Sequence, residues 1–114
     1  MNKIILAFSL VLFAGFTMMA KDKTPTKTET IKVWGNCEMC ETNIEKAAKK
    51  VKGVVKASWD ADKKILTVTY KPSETTNETI QKAIAAIGYD TEAFKGDDKA
   101  YENLPACCQY DRKK

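Results

Sequence analysis

Two cysteines, Cys37 and Cys40, are separated by two residues, and their thiols are the side chains in this sequence best suited to chemistry. Thiolates are soft ligands that select Cu(I), Zn(II) and other thiophilic metals, and this spacing lets both sulfurs face one ion. The same spacing also serves thiol–disulfide exchange, and small exported domains use disulfides as structural staples. The spacing therefore predicts a soft-metal site, with a redox pair and a structural disulfide as alternatives.

The rest of the sequence narrows these alternatives. A structural zinc site normally needs four ligands, but the chain has no histidine, and its other cysteines are the adjacent Cys107 and Cys108. Redox loops of the thioredoxin type usually have Trp just before the first cysteine and Gly-Pro between the two, whereas here Trp34 lies three residues ahead. The redox interpretation is weakened but stays open.

Cys107 and Cys108 are not expected to form a disulfide with each other. Adjacent Cα atoms are about 3.8 Å apart, and ordinary disulfides need a larger separation. These two thiols are therefore available to bind metal, to pair with the Cys37 loop or to cross-link molecules.

The N-terminus has the three parts of a secretory signal peptide. Lys3 precedes an apolar run over residues 4–16, and charge returns at Lys21. We predict cleavage after Ala20, export to the periplasm or the extracellular space, and no stable membrane insertion after cleavage. Residues 21–28, rich in Thr and Lys, are predicted to be a flexible linker. Export places the thiols in an oxidising compartment.

Charge and size exclude other function classes. The net charge of +4 comes from lysines that are spread among acidic residues, whereas nucleic-acid binding calls for a concentrated basic face. Removal of the signal peptide leaves about 94 residues, enough for one small domain. We therefore predict a binding protein, not an enzyme, and no nucleic-acid partner.

Apolar periodicity predicts the elements that position the thiols. Strand patterns begin at Ile31, at Val55 and at Leu66, and a last strand is predicted over residues 89–94. Two helical patterns are each followed by a glycine, Gly53 and Gly88 respectively. The residues assigned to the buried layer are Ile31, Val33, Ile44, Ala47, Ala48, Val51, Val55, Ala57, Trp59, Leu66, Val68, Tyr70, Ile80, Ala83, Ile84 and Ile87.

The resulting order, βαββαβ, is the split βαβ arrangement of ferredoxin-like α+β folds. It predicts a four-stranded antiparallel sheet with two helices on one face, and it places the thiols between the first strand and the first helix. Backbone N–H groups at a helix N-terminus stabilise thiolates. On this ground, Cys40 is expected to ionise more readily than Cys37.

The thiol spacing, the order of elements and Gly88-Tyr89 after the second helix together resemble the heavy-metal-associated domain, over residues 29–95. This family includes copper chaperones, N-terminal domains of metal-pumping P-type ATPases and the periplasmic mercury-binding protein. The resemblance implies that Cys37 and Cys40 bind one soft ion, commonly Cu(I), with Zn, Cd and Hg as alternatives. It also implies a metal-transporting ATPase or another thiol-bearing protein as partner, and a monomer or a metal-bridged dimer.

Three further positions are interpreted through the resemblance. Tyr89 matches a tyrosine that lies close to the metal in bacterial copper members, and a partly buried strand residue is its alternative role. Trp34 either covers the site or packs in the domain. Gly35 stands where the family often has a Met anchor, so the loop is expected to be more mobile than usual.

The tail, residues 96–114, extends beyond the family domain. A short helix closed by Pro105 is predicted before Cys107 and Cys108, and the tail is long enough for one of these thiols to reach Cys37 and Cys40. The leading hypothesis is an exported Cu(I) chaperone or buffer that works by thiolate exchange. The alternatives are a thiol–disulfide oxidoreductase, or a Zn, Cd or Hg storage or detoxification protein that uses all four cysteines.

Overall fold

A computed structural model describes residues 24–114. The predicted signal peptide, residues 1–20, and the first part of the predicted linker lie outside the described residues. The elements in chain order are β1 (Lys27–Lys32), α1 (Glu38–Lys49), β2 (Val54–Asp60), β3 (Ile65–Tyr70), α2 (Asn77–Ala86), α3 (Asp98–Glu102) and a 3-10 turn (Ala106–Cys108). Within residues 24–114, no helix is long and apolar enough to cross a membrane.

The three strands form an antiparallel sheet in the order β1-β3-β2. Val68 of β3 lies opposite Glu29 of β1 and Ala57 of β2, and side chains alternate between a buried and an exposed face because strand side chains have a period of two. The predicted α+β fold with an antiparallel sheet is confirmed. Strand β1 begins at Lys27, within the predicted linker.

The predicted fourth strand, residues 89–94, is reduced to a single bridge between Val33 and Thr91. The segment does run beside β1, since Glu92 N donates to Lys32 O at 3.0 Å. However, Thr91 N donates to Phe94 O at 2.8 Å, so the chain turns back on itself and the ladder cannot continue. The described sheet therefore has three strands, not the predicted four.

The core lies between the sheet and the helices α1 and α2, whose apolar residues at helical spacing face inward. The buried apolar residues are Ile31, Val33, Cys40, Ile44, Ala47, Ala48, Ala57, Trp59, Leu66, Val68, Tyr70, Ile80, Ile84, Ala85, Tyr89, Cys108 and Tyr110. Val55 was assigned to this layer but is 53% exposed, because a register irregularity between Val54 and Lys56 resets the alternation.

The two glycines predicted to end helices behave differently. Gly88 follows α2 with a φ of 106°, the left-handed conformation that favours glycine after a helix. Helix α1, in contrast, ends at Lys49, and Gly53 lies in the turn before β2 with a φ of 100°. The prediction that Gly53 ends the first helix is therefore wrong.

The tail packs tightly against the end of α2. The predicted short helix is present as α3, and Asp97 caps it by accepting a hydrogen bond from Ala100 N. A Cβ at Gly88 would lie 2.7 Å from Tyr101 N, and one at Gly96 would lie 2.6 Å from the carbonyl carbon of Gly88. Only glycine allows these backbone segments to approach so closely, and this contact directs the tail back toward the thiol loop.

Candidate metal centre

Cys37 and Cys40 lie at the start of α1. Cys37 is the N-cap residue, in an extended conformation, and Cys40 lies in the first turn. Backbone N–H groups of Cys40 and Met39 hydrogen bond the Cys37 sulfur and hold the pKa of this thiol below its ordinary value, against the smaller opposing effect of burial. The N-cap position places the Cys37 sulfur at the free N–H groups, so the effect of the helix N-terminus acts on the Cys37 thiol.

A third thiol, that of Cys108, lies against this pair. Sγ of Cys37 is 3.8 Å from Sγ of Cys40 and 3.9 Å from Sγ of Cys108, and the three sulfurs all lie within 4.8 Å of one another. Cys40 and Cys108 are fully buried, and Cys37 is half-buried. We refer to these three residues as the thiol cluster.

The spacing of the thiol cluster suits one metal ion. Metal–sulfur bonds of about 2.3 Å place three sulfurs around an ion about 4.0 Å apart, and a linear pair about 4.6 Å apart. The observed 3.8 and 3.9 Å are closer to the three-sulfur value than to the linear value. A disulfide would bring two sulfurs to about 2.05 Å, and all four cysteines are free thiols.

Cys107 lies outside the cluster. Its Sγ is exposed, 3.9 Å from Sγ of Cys108 and 3.9 Å from Sδ of Met39. Its carbonyl oxygen accepts a hydrogen bond from Sγ of Cys37 at 3.3 Å. Of the two tail thiols, the structure therefore brings Cys108 to the Cys37 loop and leaves Cys107 at the surface.

Burial shapes the electrostatics of the cluster. Burial, and then the neighbouring Cys40 thiol, raises the pKa of Cys108 to about 12, so without a cation this sulfur stays protonated at neutral pH. A bound metal ion deprotonates a coordinating thiol outright. The Cys40 thiol donates to Oδ1 of Asn36 at 3.0 Å, which orients it in the absence of an ion.

Tyr89 lies in the buried layer next to the cluster. It is fully buried, its hydroxyl accepts a hydrogen bond from Nδ2 of Asn43 at 3.2 Å, and its ring stacks on Tyr110 with centroids 5.5 Å apart. Burial, followed by a hydrogen bond with the Cys40 thiol, raises the pKa of Tyr89 far above its ordinary value. The neutral phenol is thus a fixed neighbour of the Cys40 sulfur.

The Trp59 indole contacts the thiol loop. Trp34 packs on the edge of the core, with the ammonium groups of Lys32 and Lys113 over its ring at 5.2 and 5.6 Å. Trp59 Nε1 donates to a backbone carbonyl at 3.0 Å, and its ring fills the space at Gly35. Sequence analysis placed Trp59 in the core, but the contact with position 35 had no local signal.

The Trp59 ring leaves no room for a side chain at position 35, which explains why this loop position is a glycine. A Cβ at Gly35 would lie 2.9 Å from Cη2 of Trp59 and 3.2 Å from Cβ of Cys40, both closer than side chains normally pack. The loop therefore has a packed anchor, supplied by Trp59. That the loop is more mobile than usual stays a prediction.

An ion pair that sequence analysis missed fixes the tail beside the cluster. Asp90 is 1% exposed, and its carboxylate accepts hydrogen bonds from Nη2 and Nε of Arg112 at 2.7 and 3.2 Å. The backbone N–H groups of Gly96 and Lys113 also donate to it, at 2.6 and 2.9 Å. Burial opposes ionisation, but these donors together hold the pKa of Asp90 below its ordinary value.

Tyr110, two residues beyond Cys108, also holds the tail in place. We refer to Asp90, Tyr110 and Arg112 as the tail clamp. The Tyr110 hydroxyl donates to Gly88 O at 2.6 Å and accepts from Asp90 N at 2.7 Å, and its carbonyl accepts from the Tyr101 hydroxyl at 2.6 Å. The partners in these bonds lie 22, 20 and 9 positions apart in the sequence, so no local pattern could predict them. The clamp fixes where Cys108 lies.

The sequence is similar to those of known proteins. Residues 36–90 match the heavy-metal-associated domain. A zinc-transporting ATPase of Synechocystis sp. is 42% identical over 67 residues, which cover 58% of this chain and 9% of the ATPase. The chain thus spans less than a tenth of the length of this curated relative.

Solved structures share the fold. Oxidised MerP from Ralstonia metallidurans CH34 is 32% identical with a TM-score of 0.57, covering 60% of this chain and 96% of MerP. The N-terminal domain of a potential copper-translocating P-type ATPase from Bacillus subtilis, in its Cu(I)-loaded state, is 27% identical with a TM-score of 0.57. That match covers 65% of this chain and 94% of the domain.

Proposed function

The chain belongs to the heavy-metal-associated domain family, and from that premise we propose that it is an exported carrier or buffer of Cu(I). Soft-metal binding itself follows from the family and from the cysteine cluster. The proposal adds the metal, the ligands and the location. The ligands are Cys37, Cys40 and Cys108, and export rests on the signal-peptide pattern at the N-terminus.

The proposal is carried by one observation, the position of the Cys108 sulfur 3.9 Å from that of Cys37. Two thiols alone would suit a linear ion, whereas a third thiol at this distance supplies a planar three-sulfur set. Zn(II) in structural sites takes four ligands, and the chain offers no histidine for a fourth. Three thiolates, which are soft ligands, therefore favour the soft ion Cu(I).

Release proceeds by ligand exchange and needs no catalysis. A thiolate of the receiving protein attacks the ion, a bond to one of the chain's own sulfurs breaks, and a proton returns to that sulfur. Cys37 is the most accessible sulfur of the cluster, so exchange begins there. The family relationship to metal-transporting P-type ATPases supports such an ATPase as a donor or receiver of the ion.

The thiol–disulfide oxidoreductase remains a second candidate function. The lowered pKa of Cys37 gives the thiolate that disulfide exchange requires, and Cys40 lies within reach as the resolving thiol. Storage of Zn, Cd or Hg by all four cysteines would require the Cys107 sulfur, now 3.9 Å from Met39, to turn toward the cluster.

We predict that the four single Cys→Ser variants separate these functions by their Cu(I) affinity, measured in competition with a chromogenic chelator. Cys37→Ser and Cys40→Ser should lose tight binding, and Cys108→Ser should weaken it by about ten- to hundredfold, or 1.4 to 2.8 kcal/mol. Cys107→Ser is the matched control, and it should keep wild-type affinity because its sulfur lies outside the cluster.

Equal affinity of Cys108→Ser and wild type would contradict the three-thiol site. Equal losses in all four variants would favour four-thiol storage. Thermal unfolding of each apo variant provides the folding control. Cys40 is fully buried and Cys37 is half-buried, so replacement of Cys40 should lower stability more than that of Cys37.

A further inference from the structure

Met39 and Cys107 place two soft sulfur donors on the protein surface beside the thiol cluster. Sγ of Cys107 lies 3.9 Å from Sδ of Met39. Met39 is 46% exposed, and Cys107 is exposed as well. We refer to these two residues as the surface pair. Their sulfurs are accessible to an incoming ion and close enough to hold it together.

Burial restricts the access of a metal donor to the thiol cluster, whereas the surface pair is accessible. Cys40 and Cys108 are fully buried, and a donor ligand must come within bonding distance, about 2.3 Å of the ion, for exchange to occur. Within residues 24–114, Cys37 is the half-exposed member of the cluster. An ion that first binds outside the cluster can enter it without a bulky donor reaching the buried sulfurs.

A continuous series of sulfur contacts connects the surface to the interior. Met39 Sδ lies 3.9 Å from Cys107 Sγ, which lies 3.9 Å from Cys108 Sγ. Cys108 Sγ lies 3.9 Å from Cys37 Sγ, which lies 3.8 Å from Cys40 Sγ. Each neighbouring pair can share one ion at ordinary metal–sulfur bond lengths, so the ion is never released to water between steps.

The donor types give the surface pair a metal preference. A thioether is neutral and soft, and together with a thiolate it selects Cu(I). Protein zinc sites instead use thiolate, imidazole and carboxylate ligands, none of which Met39 provides. The pair should therefore discriminate between these metals before the ion reaches the cluster.

We propose that the surface pair is the acquisition site for Cu(I), which then passes through Cys107 to Cys108 and into the thiol cluster. This inference rests on the proposed function. Cys107 loses its proton to solvent as it binds Cu(I) and regains a proton when the ion moves on, and each protonated thiol of the cluster releases its proton as it binds the ion. The bonds from copper to Met39 and Cys107 break as the three bonds to Cys108, Cys37 and Cys40 form, and the copper stays Cu(I) throughout.

The test compares loading rates with equilibrium affinities in the full chain. Cu(I) is delivered as its bicinchoninate complex in stopped flow, and loss of the complex's colour reports transfer. Met39→Leu keeps the size and apolar character of the side chain and removes only the sulfur. We expect Met39→Leu and Cys107→Ser each to slow loading by about tenfold, or 1.4 kcal/mol in activation free energy, while the final Cu(I) affinity stays at the wild-type value.

Zn(II), delivered from its pyridylazoresorcinol complex, provides the metal control. Its binding rate should be unchanged in Met39→Leu, because a thioether does not assist Zn(II). Wild-type rates of Cu(I) loading in both variants, or equal slowing of Cu(I) and Zn(II) by Met39→Leu, would overturn the surface pair and leave the cluster intact. A wild-type chain that takes no Cu(I) would overturn the proposed function and this inference with it.

Discussion

At the scale of single residues, the thiol cluster depends on side chains that hold no metal themselves. Cys37 owes its lowered pKa to backbone N–H groups at the start of α1. Cys40 is oriented by Asn36, and the loop that carries both thiols rests on the Trp59 ring through Gly35. These contacts position both thiols without the help of a metal ion.

The close contact at Gly35 makes a residue-scale prediction. Gly35→Ala should lower the free energy of unfolding by about 1 to 3 kcal/mol, because the new methyl group overlaps the Trp59 ring. Thermal and urea unfolding of the apo protein measure this loss. Trp59→Phe removes the two ring atoms that cause the overlap, so in that background Gly35→Ala should cost less. The same cost in both backgrounds would contradict the contact.

At the scale of elements, the tail clamp of Asp90, Tyr110 and Arg112 connects the turn after α2 to the segment that carries Cys108. The Asp90 carboxylate is buried and paired with Arg112, and removal of one partner of such a pair leaves an uncompensated buried charge. The clamp thus couples the stability of the tail to the ionisation of one carboxyl group.

Acid should open the clamp. Since the pKa of Asp90 is lowered in the folded state, its stabilising effect is present above the unfolded-state value of about 3.9 and is lost as pH falls through the lower folded-state value. We predict that unfolding free energy decreases below about pH 4.

The matched variant is Asp90→Asn, which removes the titrating group and should lower stability by about 3 kcal/mol at pH 7 while flattening the dependence on acid. Urea unfolding across this pH range measures both effects. An unchanged acid profile in Asp90→Asn would show that other carboxyl groups carry the dependence.

Most elements of the fold could be predicted from the sequence. Three strands, two helices and the short tail helix could be predicted, because each has its own local apolar period. The fourth strand could not be distinguished from a turn, since the reversal depends on a hydrogen bond between Thr91 and Phe94. Val55 faced outward because of a register irregularity that alternation alone does not reveal.

The candidate site, too, could be predicted from the sequence only in part. Cys37 and Cys40 could be predicted as metal ligands from their spacing in the sequence. The length of the tail showed that a third thiol could reach them. The choice of Cys108 over Cys107 depends on the tail clamp, whose partners are far apart in sequence. Such long-range pairings leave no periodic signal.

At the scale of the whole molecule, the tail is integral to the described structure. The match to the heavy-metal-associated domain ends at residue 90, yet two tail residues contact the residues at that boundary. The Tyr110 ring stacks on Tyr89, and Arg112 forms an ion pair with Asp90. Truncation after Phe94 would remove Cys108 and would also leave Asp90 without its cation. A point variant of Cys108 therefore tests the metal site more cleanly than truncation does.

X-ray absorption spectroscopy of the Cu(I)-loaded chain tests the central claim most directly. The number of sulfur ligands and their distances to copper are measured for wild type and for Cys108→Ser. We predict three sulfurs in the wild type, from the cluster of Cys37, Cys40 and Cys108, and two in the variant, at shorter distances. Two sulfurs at the same distance in both proteins would contradict the three-thiol site.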